Sequence, residues 1–276
     1  MKNKAKNVAL IGFGYWGKKL YKYLKQNKTF NCKYIYSPSL HCEGKYINNL
    51  NLILNDKSID AVIIATPVDT HFNLVKKCLL ANKHVLCEKP LTTKIFEASE
   101  LFQIAKEKHL SLVTEFTYTF SKGIEEIKTK IRKFGELKYI EAKAWQLGRF
   151  KNNVYVSLGS HLLSIVDMFL QLPNFKVEKL DIIKSDKVET GIILLKSENL
   201  LANLSCSLNS QKKIFTVNFC CTKGILIYST EDNEKEKDNL VYALEYFYDI
   251  LSKKKVDNIL RAINVARVLD VLENLE

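Results

Sequence analysis

Short β-branched runs alternate with stretches of helical periodicity over the first part of the chain. Val8-Ala9-Leu10-Ile11 reads as a strand, and Trp16 to Gln26 as the helix that follows it. Further strand-like runs lie at Cys32 to Tyr36, Ala61 to Ala65, His84 to Cys87 and Ser111 to Thr114. Thr70 to Ala81 and Ile95 to Lys108 carry helical spacing between them. Strands separated by helices through short links predict βαβ units, and hence a doubly wound parallel sheet.

The texture changes after Tyr118. A helix at about 122 to 133 leads through Gly135 into a strand from Lys138 to Trp145, and a second helix covers Leu158 to Leu170. Val177 to Ile183, Glu189 to Leu195, Leu200 to Leu208, Ile214 to Cys220 and Gly224 to Tyr228 then follow as strands. Hairpin-length links such as Lys196 to Asn199 predict a largely antiparallel open sheet. The polar segment Glu231 to Asp238 reads as a solvated loop. Amphipathic helices at Leu240 to Ser252 and Ile259 to Leu275 close the pattern. The expected fold class is α/β, with a Rossmann domain over residues 1–116 and an α+β domain over residues 117–276.

Composition narrows the classes without naming a function. With 276 residues and 47% hydrophobic content, each domain has enough apolar material for its own core. No stretch approaches the roughly 18 apolar residues that span a bilayer. The basic start, Met1 to Lys6, runs through a short apolar segment into a glycine motif with no small-residue cleavage site, which argues against an export signal. The seven cysteines, at 32, 42, 78, 87, 206, 220 and 221, form no Cys-x-x-Cys pair. They read as reduced thiols, so a cytoplasmic location and no metal site are expected. The net charge of +12 would steer anionic ligands such as nucleotides or phosphorylated sugars toward the protein. Lysine is spread along the chain and not gathered into a stripe, so nothing favours nucleic acid or a membrane as partner.

Chemistry enters at Gly12-Phe13-Gly14-Tyr15-Trp16-Gly17, a G-x-G-x-x-G run between a predicted strand and a predicted helix. The first glycine permits the tight turn, the second lets backbone approach a pyrophosphate, and the third allows helix and strand to pack closely. Helix N-H groups and the helix dipole would hold the anion. About 20 residues on, Ser37 stands where an NAD-preferring protein presents a carboxylate to the adenosine ribose. With Ser39, His41 and Lys45 close in sequence, NAD and NADP both remain open.

Two further clusters, Ala65-Thr66-Pro67-Val68-Asp69-Thr70-His71 and His84-Val85-Leu86-Cys87-Glu88-Lys89-Pro90-Leu91, complete a pattern. Together with the glycine motif, the chain resembles the glucose-fructose oxidoreductase and inositol dehydrogenase family (Gfo/Idh/MocA). The likeness is strong to residue 91. Weaker echoes follow at Phe134-Gly135-Glu136-Leu137, Leu158-Gly159-Ser160-His161 and Thr222-Lys223-Gly224-Ile225-Leu226.

The resemblance implies that Thr66, Pro67, His71 and Glu88 line the cofactor. It places Lys89 beside both the nicotinamide and the reacting hydroxyl. A positive charge there stabilises a developing alkoxide. His161, which titrates near working pH, is the candidate general base. Pro90 is a candidate for a cis peptide. Tyr118, Lys122, Trp145, Arg149 and Ser157 are candidate substrate contacts. Two family aspartates are replaced, by Ser157 and Ser164.

The implied activity is NAD(P)-dependent hydride transfer to or from a secondary alcohol of a sugar or nucleotide-sugar, such as the 3-hydroxyl of a UDP-N-acetylamino sugar. A non-catalytic NAD(P)-binding sensor, or a family lyase or glycosidase with tightly bound NAD, stand as alternatives. The second domain would bind substrate and pair copies into a homodimer or homotetramer.

Overall fold

The runs Val8–Ile11, Ala61–Ile64 and Val85–Cys87 are almost wholly sequestered from solvent, none of their residues exceeding 1% exposure. Continuous apolar strands of this kind require cover on both faces, which a parallel sheet flanked by helices provides. The computed structural model, which describes residues 5–39, 42–148, 152–184, 186–231, 238–253 and 259–275, has this architecture.

The first unit contains β1 (Lys6–Ile11), α1 (Tyr15–Gln26), β2 (Phe30–Tyr36), β3 (Tyr46–Ile47), α2 (Asn51–Asn55), β4 (Ala61–Ile64), α3 (His71–Leu80), β5 (His84–Glu88), α4 (Ile95–Glu107) and β6 (Leu112–Glu115). Its six strands run parallel in the order β3-β2-β1-β4-β5-β6. The order reverses at β1, which pairs with β2 on one side and β4 on the other. Ligands of open α/β sheets bind at such a switch point, outside the carboxyl ends of the strands.

The second unit begins at Phe116. It holds α5 (Lys122–Lys130), β7 (Leu137–Leu147), α6 (Ser160–Val166), β8 (Lys176–Lys184), β9 (Val188–Lys196), β10 (Leu201–Ser207), β11 (Asn209–Cys221) and β12 (Gly224–Ser229). The sheet order is β12-β11-β7-β10-β9-β8, antiparallel except for the central β7–β10 pair. Alternation along the strands separates two faces. Ile140, Ala142 and Ala144 of β7 are buried, as are Leu204 of β10 and Val217 and Phe219 of β11. Glu141, bonded to Asn218 at 3.0 Å and to Lys143, belongs to the opposite face.

The last helices, α7 (Asn239–Lys253) and α8 (Ile259–Asn274), divide differently from the sequence expectation, which gave all of residues 117–276 to the second domain. Residues 240–263 return to the first unit. Leu240, Leu244, Phe247 and Ile250 of α7 share one core with Val8, Leu10, Leu20, Leu24, Phe30 and Ile35. Phe247 stacks on Phe30 at 6.2 Å, and Tyr248 meets the same ring edge-on at 5.7 Å. An amphipathic helix declares that it has an apolar face but not which sheet will cover it, so sequence alone placed α7 with its neighbours along the chain. From residue 264 onward α8 belongs to the second unit, where Asn264 donates to Asp167 at 2.8 Å.

Among the described residues no helix is long and apolar enough to cross a membrane, and no cluster of side chains could hold a metal ion. Replacing Phe247 with Ala is expected to lower stability by about 3–5 kcal/mol, the cost of a large vacated core site. Urea unfolding followed by fluorescence checks this; a loss under 1 kcal/mol, on the order of a surface change, would mean that α7 is dispensable to the first core.

Candidate active site

The turn after β1 shows what each glycine is for. Gly12 has φ +98°, and a Cβ there would be driven into the carbonyl of Ala65, at the end of β4. On Gly17 a Cβ would strike the carbonyl oxygen of Gly12. These two residues are required by the protein's own packing. Gly14 differs: its backbone is extended, with φ −76° and ψ −156°, and nothing lies within 4 Å of a Cβ built on it.

Neither strain nor a neighbour inside the protein asks for glycine at 14. The open space there lies at the N-terminus of α1, where no side chain caps the helix and no acidic residue occupies the first turn. Unshielded N-H groups and the positive end of the dipole suit a pyrophosphate. The residues present therefore fit a dinucleotide.

The other members of the motif divide. Tyr15 and Trp16 are exposed, at 78% and 40%, and touch edge-to-face. Phe13, expected to bind cofactor, instead packs inward against Tyr21 and Tyr46, at 5.9 and 5.6 Å, and anchors the turn. Ser37 directly follows β2; its hydroxyl lies 3.2 Å from that of Ser39, and its N-H donates to Ile47. Lys45 lies over the Tyr21 ring at 5.4 Å. His41 is outside the described residues.

At the carboxyl end of β4, the Thr70 hydroxyl bridges the Thr66 hydroxyl and the Pro67 carbonyl at 2.7 and 2.6 Å. His71, expected to line the cofactor, is 1% exposed and spends both ring nitrogens inside the protein. Nε2 faces the Thr66 carbonyl at 2.8 Å, and Nδ1 faces that of Pro90 at 2.9 Å. The ring thus clamps the loop after β4 to the loop after β5. Burial holds its pKa below the usual imidazole value, against the pull of the two carbonyls. A neutral ring carries one N-H and donates to one carbonyl at a time.

The loop after β5 carries Lys89, joined to Pro90 by a cis peptide. Burial pushes the Lys89 ammonium down from its usual pKa and the preceding Glu88 carboxyl up, while their mutual attraction opposes both shifts. Glu88 is 8% exposed, and its Oε1 finds no hydrogen-bond partner among the described residues. A second carboxylate, Glu115, lies opposite Glu88 in the β5–β6 ladder and is 1% exposed. Sequence reasoning passed over Glu115. The available signal was an acidic residue ending an otherwise apolar strand.

In the second unit, His161 lies in α6 just after a π-helical turn, Tyr155–Gly159. Wide turns of this type recur at functional sites. The Tyr118 ring meets His161 edge-on at 5.0 Å and stacks on Phe215 at 3.7 Å. Phe215 was not anticipated.

Ser157 and Ser164 both bond to backbone: Ser157 Oγ donates to the Asn152 carbonyl at 3.3 Å, and Ser164 Oγ to that of His161 at 2.7 Å. Lys122 is exposed at the first residue of α5. Trp145 is on the opposite sheet face from Ile140, Ala142 and Ala144, and its Nε1 donates to Ser205 at 2.9 Å. That places it with Glu141 and Lys143 on the outward face, not beside His161 as a substrate contact would be. Arg149 falls outside the described residues.

Residues 6–116 match the Gfo/Idh/MocA model, described as "Oxidoreductase family, NAD-binding Rossmann fold". Within the first unit, this stretch is similar to that family. An uncharacterized oxidoreductase of Schizosaccharomyces pombe is 31% identical over 150 residues, which cover 50% of this chain and 41% of the relative. Matched stretches thus span less than half the length of the curated relatives.

The likeness in fold reaches further. The GenD2 protein of gentamicin A biosynthesis, solved in complex with NAD, superposes with a TM-score of 0.87 at 15% identity, over 97% of this chain and 93% of that one. A UDP-N-acetylglucosamine 3-dehydrogenase from Acidithiobacillus ferrooxidans gives 0.82 at 18% identity, over 95% of each chain. Both units therefore have the fold seen across these structures, and the first is a Rossmann domain.

Gly14→Ala is expected to fold with an unchanged melting temperature while losing NAD affinity by about tenfold or more, ~1.4 kcal/mol. Gly17→Ala, which overpacks the turn, should cost about 1–3 kcal/mol of stability. Calorimetric titration and thermal melts separate the two; normal NAD binding by Gly14→Ala would refute the assignment of that space.

Acid should weaken the first unit through two histidines. His71 and His84 both titrate below the usual imidazole value because of burial, and His84 Nδ1 accepts from the Ser111 N-H at 2.9 Å. The unfolded chain, with ordinary imidazoles near pKa ~6.5, therefore takes up protons that the folded one resists. Stability is fully present above about pH 6.5 and declines as pH falls below it. Denaturant midpoints at pH 7.5 and 5.5 test this, and the difference should shrink in His71→Gln.

Proposed function

We propose that the protein is an NAD(P)-dependent oxidoreductase that moves hydride to or from a secondary alcohol of a sugar or nucleotide-sugar. The 3-hydroxyl of a UDP-N-acetylamino sugar is the leading candidate. The observation that carries the reading is a lysine with two buried carboxylates close by, at the carboxyl ends of β5 and β6, in a domain whose glycine turn is shaped for a dinucleotide.

When bound, the nicotinamide supplies the hydride acceptor or donor. The chain supplies the rest. Thr66 and Pro67 shape the rim beside the turn, and His71 fixes the loop that presents Lys89. The Lys89 ammonium stabilises negative charge on the substrate oxygen as its proton leaves. In the second unit, His161, met edge-on by the Tyr118 ring, is the candidate general base.

Ser37, standing where a carboxylate would repel a 2′-phosphate, is consistent with use of NADP as well as NAD. The net charge of +12 favours a substrate that carries phosphates. The structural similarity to a UDP-N-acetylglucosamine 3-dehydrogenase supports the same choice. Exposed Leu180, Leu201, Ile225 and Ile227 on the second sheet offer the surface on which a second copy would pair, giving a homodimer or homotetramer.

One observation favours a different reading, a non-catalytic NAD(P) sensor. Ser157 and Ser164 commit their hydroxyls to backbone carbonyls and leave no carboxylate at either position flanking His161 in sequence. A panel of sugars and UDP-sugars, mixed with NAD or NADP and followed by absorbance of the reduced nicotinamide, decides between them. Turnover is expected with at least one UDP-sugar. Lys89→Ala should lower kcat by about 10²-fold or more with cofactor affinity retained. Cofactor binding without turnover on any substrate, or an unimpaired Lys89→Ala enzyme, would favour the sensor.

A further inference from the structure

We infer that Glu115 is a positioning residue for Lys89: its buried carboxylate, set opposite Glu88 on the neighbouring strand, supplies the second negative charge that holds the lysine's positive charge at these strand ends. The inference rests on Lys89 as the residue that meets the reacting oxygen, since its value to the chemistry lies in that charge.

The geometry is that of two adjacent strand ends. β5 finishes in Cys87-Glu88 and β6 in Thr114-Glu115, with Cys87 paired to Thr114 and Glu88 to Glu115. Lys89 is the next residue along. Glu115 ends a strand whose four residues are all buried, where an acidic side chain is costly unless something balances it. A hydrophobic residue would satisfy the β6 packing better, so the carboxylate has a purpose other than filling space.

Glu88 is the larger of the two charges that oppose burial of Lys89, but burial raises its own pKa against the pull of Lys89 and of Lys19 from α1, so its charge is not held by burial alone. The Cys87 thiol is kept protonated by burial, and His71, which meets the Pro90 carbonyl, is held toward its neutral form. That leaves Glu115 as the second negative charge that acts on Lys89 in this unit and opposes the effect of burial. An opposite charge close to a buried amine typically raises its pKa by about 1–3 units. Two opposing carboxylates also explain how a half-buried lysine can still be available as a cation.

The test reads Lys89 itself, without substrate. The full chain is treated with trace acetic anhydride from pH 6 to 11, and modification of the Lys89 peptide is followed by mass spectrometry. Glu115→Gln, which is isosteric and uncharged, should move the labelling midpoint down by about one pH unit or more. Glu115→Asp keeps the charge one methylene further back and should move it less, in the same direction. An unmoved midpoint, in whichever variant melts like the wild type, overturns the inference.

Once a turnover assay is in hand, the basic limb of its pH–rate profile should shift with the labelling midpoint in Glu115→Gln; a limb that stays put also overturns it. If the wild type shows no turnover while the labelling shift is present, the catalytic assignment of Lys89 fails and the Glu115 coupling stands.

Discussion

The contact on which the rest depends is the approach of three backbone segments at one point: the end of β1, the first turn of α1 and the end of β4. Gly12 and Gly17 are the residues that let them meet, because a single added carbon at either would collide with a carbonyl. The closeness aims α1 so that its N-terminal amides stand uncapped at the crevice where the strand order reverses. Anion binding is therefore a by-product of packing: the same approach that seats the helix on the sheet leaves its positive end open.

From that point the site is assembled by loops that the sheet delivers side by side. Adjacent parallel strands end on the same edge, so the segments after β4, β5 and β6 are neighbours although residues 66, 89 and 115 are far apart in sequence. His71 links the two loops by lying between a carbonyl of each and donating its one N-H to either. The ladder sets two carboxylates, Glu88 and Glu115, side by side, and their burial is tolerable because Lys89 follows directly. Within the second unit, Tyr118, Phe215 and His161 restrain one another through aromatic contacts.

Most of this architecture can be read from residue patterns, and the exceptions have identifiable causes. β1 and β4 declare themselves because four or more consecutive apolar residues can only be central parallel strands in this context, and the shorter apolar runs of β5 and β6 are placed by their alternation with helices. The two-residue β3 does not, since Tyr46–Ile47 pairs through backbone and carries no periodicity. Trp145 could have been placed from sequence: Ile140, Ala142 and Ala144 define the inner face, and an odd-numbered neighbour must point the other way. His71 could not, because its contact with Pro90, nineteen residues on, depends on how two loops are delivered. Glu115 was visible as an anomaly but carried no spacing rule. Its partner across the ladder appears only once register is known.

The return of α7 to the first core has a consequence for how the protein is made. Val8, Leu10, Phe30 and Ile35 emerge early from the ribosome, but the helix that seals them is encoded beyond residue 238. At ordinary translation rates the interval is on the order of ten seconds. During it the nascent first unit exposes a greasy surface to chaperones and to other chains, so its maturation waits until α7 has been synthesised.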